Sequence, residues 1–193
     1  MLTGDSFTDA HMRLTQTPID PIRTAAVGAV VAACLLAACS PTFNWREVRP
    51  DETRLALLLP CKPDKAEKIV PLGGRPTPLR LLGCDAGGAT FALAVADLGE
   101  AARATDVLAQ WQALTLANMK AGAPQATPLR LKGAALSPAP VLVKAQGRRA
   151  DGTAVNGQAV YFAQGTQVFQ AVVYFEKLSP DVAETFFGSL SLE

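Results

Sequence analysis

An apolar run near the amino terminus places the strongest constraint on how this 193-residue chain folds. Eleven of the thirteen residues from 24 to 36 are apolar, none is charged, and Arg13 and Arg23 precede them. A helix of thirteen residues spans about 20 Å, which is too short for the roughly 30 Å hydrocarbon core of a bilayer. Basic residues, a short apolar run and small residues in this order are typical of a cleavable secretory signal. The alternative is a buried Ala/Val helix, but we expect the folded domain to lie after this run.

The run ends in Leu36-Ala37-Ala38-Cys39, which is an aliphatic residue, two small residues and a cysteine. This resembles the lipobox of bacterial lipoproteins, where signal peptidase II cleaves before the cysteine and the thiol carries diacylglycerol. The resemblance implies that residues 1–38 are a signal peptide, that Cys39 is lipidated, and that the membrane is a partner. Translation starts at Met1 or at Met12, which begins a more basic segment. By resemblance to the enterobacterial sorting rule, Ser40 favours the periplasmic face of the outer membrane.

Residues 39–53 are predicted to be the lipidated terminus and a short tether, and residues 54–193 a single globular domain. The eleven residues from 40 to 50 reach at most about 35–40 Å when extended, so the domain is expected close to the bilayer. Trp45 lies in this tether. It is predicted either to rest at the lipid headgroups, where aromatic rings are favoured, or to dock on the domain surface.

Two of the four cysteines remain available for a disulfide. Cys34 lies in the apolar run and Cys39 in the lipobox, which leaves Cys61 and Cys84 as a pair in an oxidising compartment. Both lie at the ends of predicted strands, and we predict a structural disulfide between them. The alternatives are two buried free thiols or a redox-active pair, although the spacing is not Cys-x-x-Cys.

Alternating and apolar runs predict mainly β-structure after residue 54. The predicted strands are 55–59, 65–72, 79–84, 89–97 and 129–132, followed by a meander of 141–149, 154–164 and 167–177. The segment Gly73–Pro78 is predicted to be a turn because glycine and proline interrupt regular structure. The last strand carries apolar residues on both faces, so we expect it to be central in its sheet and covered on both sides.

Two helices are predicted among these strands. The first spans Thr105–Ala121, with Thr105 as its N-cap and an apolar stripe that packs in the core. The second spans Pro180–Leu190, with Ser179 as N-cap and Pro180 at the first helical position. The predicted class is therefore α+β, an antiparallel sheet with helices packed on its faces.

This order of elements resembles a known fold. The turn and strand of Gly165–Gln170 and the helix that ends in Phe186-Phe187-Gly188-Ser189-Leu190 are similar to the PsbP-like fold, an α/β/α sandwich around an antiparallel sheet. The resemblance implies a protein that binds or helps assemble membrane complexes. It carries over no catalytic residue and no cofactor.

Charge and histidine content restrict the chemistry. A formal net charge of +1 argues against an electrostatic nucleic-acid binder. The single histidine, His11, precedes the predicted cleavage site, so the mature chain lacks the usual base of Ser-His and Cys-His catalysis and the commonest metal ligand. We therefore predict no catalytic residue, no metal site and no cofactor.

The sequence predicts a lipid-anchored, non-enzymatic envelope protein that binds or helps assemble an envelope component. Its candidate binding residues are Trp45, Arg148 and Arg149, and its expected partners are the membrane and an envelope protein. One alternative is a small envelope hydrolase that uses Asp85 and Asp97 as paired carboxylates. Another is a small-ligand-binding module, which an apolar pocket between sheet and helix would favour.

Overall fold

The computed structural model describes residues 41–193, and within them Thr42–Glu193 form one compact unit. The predicted signal peptide, Met12 and Cys39 lie outside the described residues. The strands are β1 (Arg46–Val48), β2 (Leu55–Leu59), β3 (Asp64–Leu72), β4 (Arg75–Ala86), β5 (Ala89–Asp97), β6 (Gln125–Pro128), β7 (Val141–Arg148), β8 (Ala154–Gln164), β9 (Gln167–Phe175) and β10 (Ser191–Leu192). The helices are α1 (Ala104–Asn118), which follows a 3₁₀ turn at Ala101–Arg103, and α2 (Pro180–Gly188).

Seven strands form one antiparallel sheet in the order β3-β4-β5-β9-β8-β7-β6. The expectation that 167–177 is a central strand is confirmed, because β9 is the middle strand of the seven. A second, smaller antiparallel sheet has the order β1-β2-β10. The architecture is thus a mixture of mostly antiparallel sheet and two helices, as the predicted α+β class requires.

The large sheet buries apolar side chains on both faces. Val168 and Val172 of β9 point toward α1, where they join a core cluster with Val107 and Trp111. The opposite face is covered by β2 and α2. Its core cluster includes Phe91, Phe169, Val173, Leu57 and Phe186. Alternation along β9 therefore supplies both cores, which is the physical reason for its two apolar faces.

Gln170 interrupts the apolar pattern of β9 and is nevertheless only 6% exposed. Its side-chain amide donates hydrogen bonds of 2.9 Å to the hydroxyls of Thr115 and Tyr161. The Thr115 hydroxyl in turn donates to the carbonyl of Trp111 at 2.9 Å. Burial raises the pKa of the Tyr161 phenol. A polar link therefore joins α1 to the centre of the sheet, and its buried groups are paired as burial requires.

The turn predicted over Gly73–Pro78 is wrong in its extent. Only Gly73 and Gly74 form the turn, and β4 begins at Arg75. Pro76 and Pro78 pair with β3, but pairing with β5 begins only at Leu79. Since this part of β4 has a free edge, a proline without an N–H removes no ladder bond on that side.

Two further boundaries differ from the sequence predictions, and a third agrees in position. The strand predicted at 129–132 is wrong, because β6 lies at Gln125–Pro128 and the Leu129 N–H donates to the carbonyl of Pro140. Thr105 is not an N-cap, since the 3₁₀ turn leads directly into α1. Ser179 does hold the N-cap position of α2, although its side chain makes no capping hydrogen bond.

Much of the predicted tether is packed into the fold. β1 pairs with β2 in register from Arg46 opposite Leu59 to Val48 opposite Leu57. The compact unit accordingly begins at Thr42, only three residues after Cys39. In the described part of the chain, no helix is long and apolar enough to cross a bilayer.

Candidate binding cleft

An open apolar groove lies between α2 and the strands β7 and β8. We call it the α2 groove, and its volume is about 420 Å³. Its apolar walls are Leu129, Leu131, Leu142, Phe175, Leu178, Ala183, Phe187 and Leu190. Arg130, Lys144, Gln158, Ser179 and Glu184 provide the polar atoms along it.

The groove exists because the second layer does not cover the whole sheet. α2 has nine residues and is about 14 Å long, and Pro180 starts it soon after β9. Phe186 on one side of α2 is fully buried against Phe91, with ring centroids 5.3 Å apart. Toward β7, the cover comes instead from the segment at Leu129 and Leu131, whose side chains are half-buried. The space between this segment and α2 is the groove.

A polar cleft of about 820 Å³ continues from the α2 groove, and the two share Lys144, Gln158, Phe175 and Leu178. We call it the amide cleft because its further lining includes Gln125, Gln146 and Asn156. The cross-strand pairs Leu142–Val160, Lys144–Gln158 and Gln146–Asn156 follow one another on this face of β7 and β8. The surface therefore changes from apolar to amide and ammonium groups along one continuous depression, which is suited to an amphipathic ligand.

A second groove of about 320 Å³ lies beside β3 and β4, with Asp51, Lys65 and Arg80 in its lining. Lys65 pairs with Asp51 at 2.8 Å, and Arg80 pairs with Glu52 at 2.8 Å. The Lys65 ammonium lowers the pKa of the Asp51 carboxyl. Because these charges already satisfy one another, this groove offers fewer open polar groups than the amide cleft.

Cys61 and Cys84 form the predicted disulfide, with 6.0 Å between their Cα atoms. Cys61 follows β2 of the small sheet and Cys84 lies in β4 of the large sheet. The bond therefore ties the two sheets together, and its role in the described structure is architectural.

Trp45 docks on the domain, which is the second of its two predicted placements. Its ring stacks on Phe43 at 6.0 Å and meets Phe91 edge-on at 6.2 Å. Phe43 also meets Phe91 edge-on, at 6.5 Å. The two aromatic residues of the predicted tether therefore extend the core that lies beneath the small sheet.

Arg148 and Arg149 are exposed at the turn between β7 and β8 and do not line the α2 groove. The Arg148 guanidinium donates to the carbonyl of Gly152 at 3.1 Å. Asp151 in the same turn accepts hydrogen bonds from the N–H and hydroxyl of Thr153, and these bonds lower the pKa of its carboxyl. The turn thus has an internal structure that presents two arginines to solvent.

Asp85 and Asp97 lie at opposite ends of the β4–β5 hairpin. Asp85 pairs with Thr90, and Asp97 lies seven residue steps further along β5, a distance of roughly 23 Å. The Asp85 carboxylate accepts a 2.6 Å bond from the Thr90 hydroxyl, and Asp97 accepts a 2.8 Å bond from the N–H of Gly99. The fold does not bring these carboxylates together as acid–base catalysis by a pair requires.

Across residues 41–193, no three His, Cys, Asp or Glu side chains are grouped so that they could hold a metal ion. Neither a scan of protein-family models nor a search of curated proteins finds a match to this chain. The cleft itself was not predicted, because its walls come from segments far apart in sequence. The one local signal was the alternation at Leu129 and Leu131, which we interpreted as a strand.

Proposed function

We propose that this chain is a lipid-anchored envelope protein that binds an envelope component without transforming it, and that the component binds in the α2 groove and the amide cleft. The observation that carries the proposal is the continuity of these two depressions. Half-buried leucines line one part, whereas side-chain amides and Lys144 line the other. The occupant is therefore amphipathic, with an apolar portion beside α2 and a hydrogen-bonding portion over β7 and β8.

The lipid anchor is supported by the sequence Leu36-Ala37-Ala38-Cys39 and by the short distance along the chain from Cys39 to the first packed residues. Two or more acyl chains anchor a protein stably, so the binding cleft would remain close to a membrane. Ser40 favours the periplasmic face of the outer membrane for this anchor.

A PsbP-like α/β/α arrangement belongs to the same proposal. α1 packs on one face of the large sheet, and α2 packs with the small sheet on the other. This placement of two helices supports the resemblance, which implies binding to, or assembly of, membrane complexes.

Site-specific photo-crosslinking in intact cells tests the proposal. A photo-reactive residue at Glu184 lines the α2 groove, whereas one at the neighbouring Thr185 is equally exposed but lies outside its lining. We expect a discrete protein adduct from position 184, absent from position 185, which disappears when Lys144→Glu reverses a charge in the cleft. Identical adducts at both positions, or an adduct insensitive to Lys144→Glu, would contradict the proposed site.

A small amphiphile is the second candidate occupant, because about 420 Å³ lies within the range of about 300–1,000 Å³ typical of small-molecule sites. Mass spectrometry of molecules released from the purified protein separates the two. A small molecule that co-purifies with the wild type and is depleted in Lys144→Glu, without a protein adduct from position 184, would favour this second function.

A further inference from the structure

One end of the large sheet collects the turns nearest to the point where the chain enters the fold. Gln146, Asn156, Phe175, Ala89 and Ala86 are successive register partners and form one row across β7, β8, β9, β5 and β4. The β4–β5 turn at 87–88 and the β7–β8 turn at 149–153 both lie beyond this row. We call this end of the sheet the tethered end.

The amino-terminal chain enters at the same end. The Phe43 ring packs so closely on Gly87 of the β4–β5 turn that a Cβ atom at Gly87, whose φ is +59°, would overlap the ring. Thr42 begins the compact unit, so three Cα–Cα steps separate it from Cys39 and span at most about 11 Å. The nine residues of β5 span about 30 Å. A chain of this length cannot turn the opposite end of the sheet, with its Gly165–Thr166 turn, toward a bilayer that holds Cys39.

We infer that the tethered end faces the lipid surface and that Arg148 and Arg149 contact anionic headgroups there. The inference rests on the lipid anchor of the proposed function and adds the orientation of the domain and the residues that meet the membrane. It follows from the length of chain between Cys39 and Thr42 and from the position of the β7–β8 turn at the same end of the sheet.

Most N–H donors of the two guanidiniums remain open for this contact, since within the described residues only Nη1 of Arg148 donates a hydrogen bond, to the carbonyl of Gly152. Both residues are exposed, and no carboxylate in residues 41–193 forms an ion pair with either of them within 4.0 Å. The carboxylate of Asp151 is held by Thr153 within the turn. Arginine presents a planar set of donors that matches phosphate oxygens in pairs, which makes it a stronger headgroup ligand than an isolated ammonium.

The tethered end also carries charges of both signs, which include Lys62, Lys120 and Lys177 as well as Asp64, Asp85 and Glu176. The end is therefore not a basic patch that would bind membranes by itself. Surface charges act over a Debye length of about 10 Å, which is similar to the reach of about 11 Å of the chain between Cys39 and Thr42. The anchor supplies attachment, the short chain brings the tethered end to the bilayer, and the two arginines add contacts with anionic headgroups.

Fluorescence quenching in proteoliposomes tests the orientation. The protein used is the mature, lipidated chain that begins at Cys39. A fluorophore on Ala150→Cys lies in the β7–β8 turn, and a fluorophore on Ala102→Cys lies at the opposite end of the sheet. Ala150 and Ala102 are both exposed. With a nitroxide on the lipid headgroups, we expect several-fold stronger quenching at position 150 than at position 102. Equal quenching, or stronger quenching at position 102, would overturn the inferred orientation.

The arginine contact is tested by varying the phosphatidylglycerol content of the same vesicles. Quenching at position 150 should rise with anionic lipid in the wild type and should lose this dependence in Arg148→Gln/Arg149→Gln. The matched control Arg54→Gln/Lys132→Gln removes two charges at the opposite end and should keep the dependence. An unchanged dependence in the Arg148/Arg149 variant would overturn the contact.

Flotation with the vesicles separates these outcomes from failure of the anchor. If the wild type does not float, or if the unlipidated chain of residues 40–193 floats equally well, the lipid anchor itself is wrong and the orientation falls with it. If the wild type floats through Cys39 but positions 150 and 102 are quenched alike, only the inferred orientation is wrong.

Discussion

Removing the Cys61–Cys84 disulfide is expected to destabilise the domain by about 3 kcal/mol. The two cysteines are 23 residues apart in sequence. In the chain-entropy account, a crosslink that closes a loop of this size lowers the entropy of the unfolded chain by an amount worth about 3 kcal/mol at 25 °C. The closed loop contains β3 and most of β4, so the bond also limits separation of this edge from the small sheet.

Urea unfolding of residues 42–193 measures this effect. A chain of this size unfolds with a slope of about 2 kcal/mol per molar urea, so Cys61→Ala/Cys84→Ala should lower the midpoint by about 1.5 M. The wild type reduced before unfolding should match the double variant, whereas reductant should not change the double variant. This comparison separates loss of the crosslink from any effect of the two alanines.

The reasoning is refuted if the reduced wild type unfolds at the same urea concentration as the oxidised protein. A double variant that is much less stable than the reduced wild type would show instead that the alanines disturb packing. In that case the additional loss of stability, beyond that of the reduced wild type, would be independent of the crosslink.

Three further variants test the core and its buried polar groups. Phe186→Ala should cost about 3–5 kcal/mol because its fully buried ring is lost, whereas Thr185→Ala on the exposed side of α2 should change unfolding little. Gln170→Ala should cost about 2–3 kcal/mol by leaving the buried Tyr161 hydroxyl and the part-buried Thr115 hydroxyl without their donor, and half-exposed Gln164→Ala should be nearly neutral in the same urea assay. Burial, with the nearby Tyr161 phenolate as a smaller cause, raises the pKa of Tyr174 to about 12. Its stabilising contribution should therefore be complete below pH of about 10 and lost as the pH rises from about 10 to 12, and Tyr174→Phe should flatten this loss in unfolding curves recorded across that range.

The carboxy-terminal meander was the most predictable part of the fold. Alternation with period two and the turns at Asp151-Gly152 and Gly165-Thr166 are local signals, and the strands lie within two residues of the predicted bounds. The central position of β9 followed from its two apolar faces. The Cys61–Cys84 pair was predictable because the resemblance to a lipobox and the apolar run assigned other roles to the remaining two cysteines.

Other elements depend on partners distant in sequence. β1 has only three residues, and it is a strand because β2 lies beside it and because Phe43 and Trp45 pack against Phe91. The prolines of β4 lie only in the part of the strand that does not pair with β5. Short-range patterns contain neither fact, so the sequence alone indicated a tether and a turn.

The candidate site was the least predictable feature. The proposed Trp45 is part of the core, and Arg148 and Arg149 lie away from the α2 groove. The groove combines residues near 130, near 143, at 158 and between 175 and 190, and no spacing within any one segment distinguishes them from ordinary core residues. A surface assembled from four segments becomes visible only once the strand order is known.

Mass spectrometry of the mature amino terminus, on protein isolated from bacterial membranes, tests the central claim of a lipid-anchored binding protein most directly. For a lipid-anchored protein we expect Cys39 to be the first residue and to carry diacylglycerol, and we expect Cys39→Ala to lose palmitate labelling. A chain that retains residues before position 39, or an unmodified Cys39, would contradict the lipid anchor.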